Sequence, residues 1–146
     1  MIGVNFTNVN LKIKTENNIN FVYDAQRKKW VILTPEEWVR QHLICFFIVH
    51  CKYPKKYIAV EKQVKVNTQK KRFDILIYNS LLQPWMIIEC KQPQQPLNDN
   101  VLQQILSYQS AIKAAFFVIT NGKNTHLYTV NSQGAVISQT NWPVWN

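Results

Sequence analysis

Apolar and polar positions change period several times along the chain, and each change marks an expected element. Residues 1–18 are rich in Asn and Lys and weakly patterned, which reads as a short strand or a loose arm. Ile19 to Tyr23 and Trp30 to Leu33 are β-prone apolar runs either side of Asp24-Ala-Gln-Arg-Lys-Lys29, the pattern of a hairpin with a charged tip. Thr34-Pro35-Glu36-Glu37 starts a helix: Thr34 is the N-cap, Pro35 takes the first helical position, and Glu37 completes a capping box. That helix is predicted to run to His50, burying Val39, Leu43, Ile44, Phe47 and Ile48, with Tyr53-Pro54 ending it.

Alternation then returns. Tyr57 to Val66 reads as a strand around Ile58, Val60, Val64 and Val66, Asn67 to Arg72 as a basic turn, and Phe73 to Tyr78 as a second strand. Asn79 to Pro84 is a turn into a third strand, Trp85 to Cys90, and the spacing suggests an antiparallel meander. Gln92-Pro-Gln-Gln-Pro96 opens a loop, because neither proline donates to a ladder or a helix. A second helix fits Asn98 to Ala114, with an Asn/Asp cap and Val101, Leu102, Ile105, Leu106 and Ile112 on one face. Ala115 to Thr120, a turn at Asn121 to Asn124, Thr125 to Val130 and a short run at Ala135 to Ser138 complete the pattern. The order implies an α/β or α+β fold with a mixed sheet. We divide it into an arm and hairpin (1–33), a core (34–130) and a C-terminal extension (131–146), one domain overall.

Composition narrows the function. With 146 residues, 47% of them hydrophobic, the chain fills one core, and 17 basic against 8 acidic residues leave a net charge of +9. Such a balance favours polyanions, nucleic acid ahead of an anionic membrane. The three cysteines match no disulfide framework or zinc spacing, no secretory signal opens the chain, and the longest apolar run, Leu43 to Val49, is far short of the ~20 residues of a membrane span. A reducing, cytoplasmic setting without membrane contact is expected. His42, Cys45, His50 and Cys51 read as packing rather than as zinc ligands, and Trp142 and Trp145 as groups that dock on the domain or on a partner.

With so few carboxylates, their placement is informative. Asp74 interrupts an apolar strand, Glu89 ends another, and Lys91 follows on the same strand face as Glu89. Ionisable groups there cost several kcal/mol unless paired or metal-bound. Pairing through the Asn79–Pro84 turn would bring Asp74 beside Glu89. Two carboxylates and the backbone carbonyl of Cys90 make a hard oxygen site for Mg²⁺, with Lys91 placed to orient or deprotonate an attacking water and stabilise a phosphoryl transition state. The competing reading is an internal salt bridge.

Asp74 followed by Ile87-Ile88-Glu89-Cys90-Lys91 resembles the core of the PD-(D/E)xK nuclease superfamily, although Phe73 stands where that motif has its proline. Leu33-Thr-Pro-Glu-Glu-Trp-Val-Arg-Gln41, Lys71-Arg-Phe-Asp-Ile75, Ile88-Glu-Cys-Lys91, Gln104 with Tyr108, and Ile119-Thr-Asn-Gly122 together resemble the type I restriction enzyme R-subunit N-terminal group. The resemblance implies a restriction-endonuclease-like mixed sheet flanked by helices and metal-dependent hydrolysis of DNA. It implies Asp74 and Glu89 as ligands of Mg²⁺, with Mn²⁺ able to substitute, and Lys91 as the catalytic lysine. Gln104 and Tyr108, one helical turn apart, are expected to meet DNA or the site, and Glu37 is either a further metal ligand or only the capping-box acceptor. Lys70, Lys71 and Arg72 directly precede Asp74 and are the basic cluster expected on DNA. A homodimer or association with other subunits is a further expectation. The alternative function is a catalytically silent nuclease fold that binds nucleic acid or a protein partner.

Overall fold

The computed structural model describes every residue except Thr7, Asn8, Asn67 and Asp99. It is a mixed α+β fold with two sheets and two helices. A small antiparallel sheet contains β1 (Ile13–Glu16), β2 (Ile19–Asp24) and β3 (Lys29–Ile32) in that order. The six-stranded sheet follows chain order: β4 (Ile58–Val66), β5 (Gln69–Tyr78), β6 (Pro84–Cys90), β7 (Phe116–Thr120), β8 (Thr125–Val130) and β9 (Val136–Gln139). Helix α1 (Pro35–Val49) precedes β4, and α2 (Val101–Ala111) crosses from β6 to β7, the sheet's parallel pair. Among the described residues, no helix is long and apolar enough to cross a membrane.

The two helices sandwich the large sheet. Ile75, Ile77, Met86, Ile88 and Val118 join Val39, Leu43 and Phe47 of α1 in one apolar cluster. Leu76, Ile87, Phe117 and Ile119 join Ile105 of α2 in the other. Each fully buried side chain of this size contributes ~1.5–3 kcal/mol. Thr34 Oγ1 accepts from the Glu37 N–H at 3.0 Å, as a capping box requires, but the Glu37 carboxylate is taken by Arg27, Arg40 and Gln41. Burial on α1 is wider than its sequence stripe, including Arg40, Gln41 and His42. Arg40 and Gln41 are held inside by Glu37, while chain ends pack over the rest: Phe6 meets Trp38 and His42, and Trp142 meets Phe46 and Phe47. Trp145 stacks on Tyr57 and donates to the Tyr78 carbonyl, so both tail tryptophans dock on the domain itself.

Three local expectations change. Lys70, Lys71 and Arg72 lie within β5 and not in a turn, because β4 and β5 stay paired out to Val66 and Gln69. Helix α2 is shorter than predicted: Ile112 turns extended and is buried, and Asn100 caps without a side-chain hydrogen bond. The Asp99 half of the predicted cap and the predicted start of the basic turn at Asn67 lie outside the described residues. The supposedly charged hairpin tip is in part internal, since Asp24 is fully buried and accepts from the Gln26 and Arg27 N–H groups and from the Arg27 guanidinium. At the β7–β8 turn, Gly122 sits at φ +86° and a Cβ there would lie 3.2 Å from Val39 Cγ2, so glycine lets this turn close on α1.

Candidate functional site

The pairing of Ile75 with Ile88 and Leu76 with Ile87 extends to put Asp74 across from Glu89, on neighbouring strands of one sheet. Asp74 Oδ2 accepts from the Cys90 N–H at 2.7 Å, and Oδ1 accepts from Arg40 Nη2 at 3.2 Å. Glu89 Oε1 accepts from Lys91 Nζ at 2.8 Å, and Oε2 accepts from the Tyr108 hydroxyl at 2.6 Å. Gln104 Nε2 in turn donates to Tyr108 Oη at 2.8 Å. The Lys91 N–H donates to the Thr120 carbonyl at 2.8 Å, which prolongs the strand past Cys90 and keeps Lys91 on Glu89's face. The five residues expected at the centre, Asp74, Glu89, Lys91, Gln104 and Tyr108, therefore converge.

A break in strand periodicity lets both helices reach this point. Ile75 belongs to the α1-side cluster, yet Phe73 packs against Tyr108 on the α2 side, so the alternation of β5 fails at Asp74. Opposite it, Glu61 interrupts β4 between the pairs Val60–Ile75 and Lys62–Phe73, with a left-handed φ of 55°. Such a backbone in a non-glycine residue costs ~1–3 kcal/mol and persists where its surroundings fix it. Here they do: Glu61 binds Arg40 at 2.7 Å and Arg72 at 3.1 Å.

Arg40 is the residue that sequence reasoning missed. Its guanidinium, 5% exposed, touches Glu37 at 3.0 Å, Glu61 at 2.7 Å and Asp74 at 3.2 Å. Arg27 continues the chain of ion pairs from Glu37 to the buried Asp24. The only local signal was a buried-face position on α1 carrying an arginine one turn after Glu37. Glu37 itself stands behind Arg40, one guanidinium removed from Asp74. Asp24, Glu37, Glu61 and Asp74 are four carboxylates sharing three guanidinium groups, Arg27, Arg40 and Arg72. The network is one positive charge short, and Glu36, 4.0 Å from Arg40, adds a further negative charge at its edge.

Burial governs titration at the site. Burial raises the Asp74 carboxyl from 3.8 to about 6; the charge of Glu89 pushes the same way, while the Cys90 N–H and Arg40 oppose the rise. Burial pulls Lys91 down, but the hydrogen bond and charge of Glu89, with Asp74, outweigh it and hold the ammonium above its ordinary value. Burial raises the Tyr108 hydroxyl, reinforced by its bond to Glu89, so it stays a donor. Burial likewise raises Cys90, which points its side chain into the apolar cluster and brings only backbone groups to the site.

Among the described residues, no three His, Cys, Asp or Glu side chains form a metal-binding cluster. The oxygen set is two carboxylates and the Cys90 carbonyl, which suits Mg²⁺, an ion that uses one or two carboxylates and keeps water in its other positions. The excess negative charge beside Asp74 fits a cation there. His42 and Cys45, by contrast, serve α1 packing: the His42 ring lies 4.0 Å from that of Trp38, and Cys45 is half-buried.

The basic cluster borders the same place. Lys71 Nζ bonds Ser107 Oγ at 3.1 Å and lies 5.8 Å from the Tyr108 ring centre, whereas Arg72 turns to Glu61 and Lys70 faces solvent. Residues 35–141 match a family model described as the type I restriction enzyme R protein N terminus. The match begins with α1 and leaves β1–β3 outside it. No curated protein matches the chain.

Proposed function

The chain belongs to the type I restriction enzyme R protein N-terminus family, and on that premise we propose that it is a Mg²⁺-dependent nuclease domain hydrolysing DNA phosphodiester bonds. The observation that carries this reading is the meeting of Asp74, Glu89 and Lys91 at one place, where Asp74 also belongs to an ion-pair network short of one positive charge. Asp74, Glu89 and the Cys90 carbonyl are the groups that would hold Mg²⁺, or Mn²⁺ in its place. When bound, the ion supplies charge neutralisation at a phosphate and acidifies a water.

The chain's own residues do the rest. Tyr108, steadied by Gln104, fixes Glu89 through its second oxygen, while the Cys90 N–H fixes Asp74. Lys91, whose ammonium is favoured by its bond to Glu89, is placed to orient water and stabilise phosphoryl oxygens as a cation. Lys70, Lys71 and Arg72 extend the positive surface along the DNA backbone. One such site cuts one strand, so cutting duplex takes a second copy, a partner subunit or a second visit.

A silent nuclease fold is the second reading, and one observation favours it: both Glu89 oxygens and both Asp74 oxygens already have protein donors. Incubating plasmid DNA with the protein, in Mg²⁺ and in EDTA, separates the two. Cleavage in Mg²⁺ that stops in EDTA is expected; DNA binding without cleavage in Mg²⁺ or Mn²⁺ would leave the silent module.

The DNA path has its own test. Binding in EDTA should weaken steeply with salt, since each phosphate neutralised releases counterions. Neutralising Lys70, Lys71 and Arg72 should flatten the log K against log salt slope by roughly 2–3, at ~0.9 per contact. Neutralising Lys55 and Lys56 should change it less. Equal changes would place the path elsewhere.

A further inference from the structure

The small sheet carries its rings on the wrong side for a core. In β2, Val22 and Asp24 are fully buried, while the alternate residues Phe21 and Tyr23 are only half-buried on the other face. The register puts Tyr23 beside Trp30, Phe21 beside Ile32 and Lys14 beside Phe21, and the Tyr23 N–H donates to the Lys12 carbonyl. The result is two cross-strand rows, Lys12-Tyr23-Trp30 and Lys14-Phe21-Ile32. The Tyr23 and Trp30 ring centres are 5.5 Å apart, and Lys14 Nζ lies 4.5 Å from the Trp30 ring. Lys12 Nζ lies 5.5 Å from Tyr23 and 5.8 Å from Trp30. Ile32 is 55% exposed at the end of its row. Tyr23 and Lys12 also border a cavity of about 300 Å³ whose other wall is Ile44, Cys45 and Ile48 of α1, at the small end of the range of ligand clefts.

We propose that this face of β1–β3 is a binding surface for single-stranded DNA, with bases stacked on Trp30 and Tyr23 and the phosphates held by Lys12 and Lys14. The inference goes beyond the nuclease reading and lies outside the segment shared with the family, which starts at residue 35. In the free protein the ammonium groups cover the rings, but an exposed cation–π contact contributes about two- to fivefold to an equilibrium. Stacking a base on an aromatic ring contributes about five- to 150-fold. A base therefore displaces the ammonium, which swings to the adjacent phosphate. A duplex offers no open base faces to stack. An apolar protein partner would bury Lys12 and Lys14 with, among the described residues, Glu16 alone, 3.1 Å from Lys14, to pair them.

The test is binding of the full chain to a short labelled oligothymidylate in EDTA, where no cleavage enters, beside a blunt duplex of the same length. Trp30→Leu and Tyr23→Leu keep an apolar group on the pleat and remove the flat ring. Each should weaken oligothymidylate binding by about tenfold and leave duplex binding within about twofold of wild type, a difference set by losing stacking alone. Lys12→Gln with Lys14→Gln should instead lower the salt dependence. Trp30→Phe, which retains a ring, should recover most of the affinity while losing the Trp30 share of the fluorescence quenching expected when oligothymidylate binds wild type. Leucine variants that bind as wild type, a parallel loss on single strand and duplex, or a folded Trp30→Phe as weak as Trp30→Leu would each overturn the proposal. Because the readout is binding without metal, it is independent of whether the protein cleaves DNA.

Discussion

Asp74→Asn is expected to remove DNA cleavage, by ~10³-fold or more, in a protein that stays folded. The loss follows from taking away one of two carboxylates that would hold the ion, whose charge stabilisation is worth several kcal/mol in the transition state. Stability moves differently because Asp74 is a strained acid. Its carboxyl titrates near 6 in the fold against 3.8 ordinarily, so between those values the folded state binds the extra proton. Its contribution to stability is then fully present below about pH 4 and lost as the pH rises through about 6, up to ~3 kcal/mol in all. The asparagine carries no charge to lose, and its amide oxygen can keep the Cys90 hydrogen bond while Arg40 retains Glu37 and Glu61. Metal-free Asp74→Asn should therefore melt at or above wild type at neutral pH, with a flatter pH profile between 4 and 6. Thermal melts in EDTA across that range, beside plasmid cleavage in Mg²⁺, check both halves. An Asp74→Asn protein that unfolds, in a background where Mg²⁺ does not shift the wild-type melt, would make Asp74 a structural ion-pair member and nothing more.

Lys91→Ala carries the second large effect. The Lys91 ammonium is 2.8 Å from Glu89, and its own pKa is held high, so it is a fixed positive charge beside the place a phosphate would occupy. Negative charge on phosphoryl oxygens grows as water attacks, so the lysine contributes more to the transition state than to the ground state. Single-turnover cleavage should fall roughly 10²-fold or more, as for one oriented donor. Mg²⁺ affinity should hold or rise, because a cation leaves the neighbourhood of the carboxylates. DNA affinity should fall only as for one phosphate contact among several. Loss of metal binding together with activity would instead show that Lys91 serves to hold Glu89 in place.

How much of this was legible in the sequence depends on range. Where a short turn joins adjacent strands, period-two reasoning came close: the Asn79–Pro84 turn pairs β5 with β6, a register shift at Ile77/Tyr78 that no local pattern announces completes the placing of Asp74 across from Glu89, and Lys91 followed by parity. The spacing of Gln104 and Tyr108 likewise put both on one helical face, although nothing local said that the face would meet Glu89. Periodicity failed where the backbone leaves it. The left-handed Glu61 and the lost alternation at Asp74 turn Glu61 inward toward Arg40. Arg40 and Asp24 were invisible for another reason. Arg40 pairs with Glu61 and Asp74, far along the chain, and the Arg27 that neutralises Asp24 is itself tied to Glu37 of α1; no window of local pattern reports such partners. The wide burial of α1 was hidden in the same way, since Phe6 and Trp142 come from opposite ends of the sequence.

The guanidinium chain from Asp24 to Asp74 bears on how portable this domain is. The recognisable motif residues begin at Leu33, just before α1, so a graft or truncation planned on motifs alone would begin there. Such a piece would carry Asp74, Glu89 and Lys91 intact and leave Arg27 behind. Glu37 would then keep the neutral Gln41 amide and the single guanidinium of Arg40, drawing that guanidinium from Asp74 and Glu61 toward the helix start. The motif could be transplanted without the hairpin; the electrostatic setting in which its first carboxylate works could not.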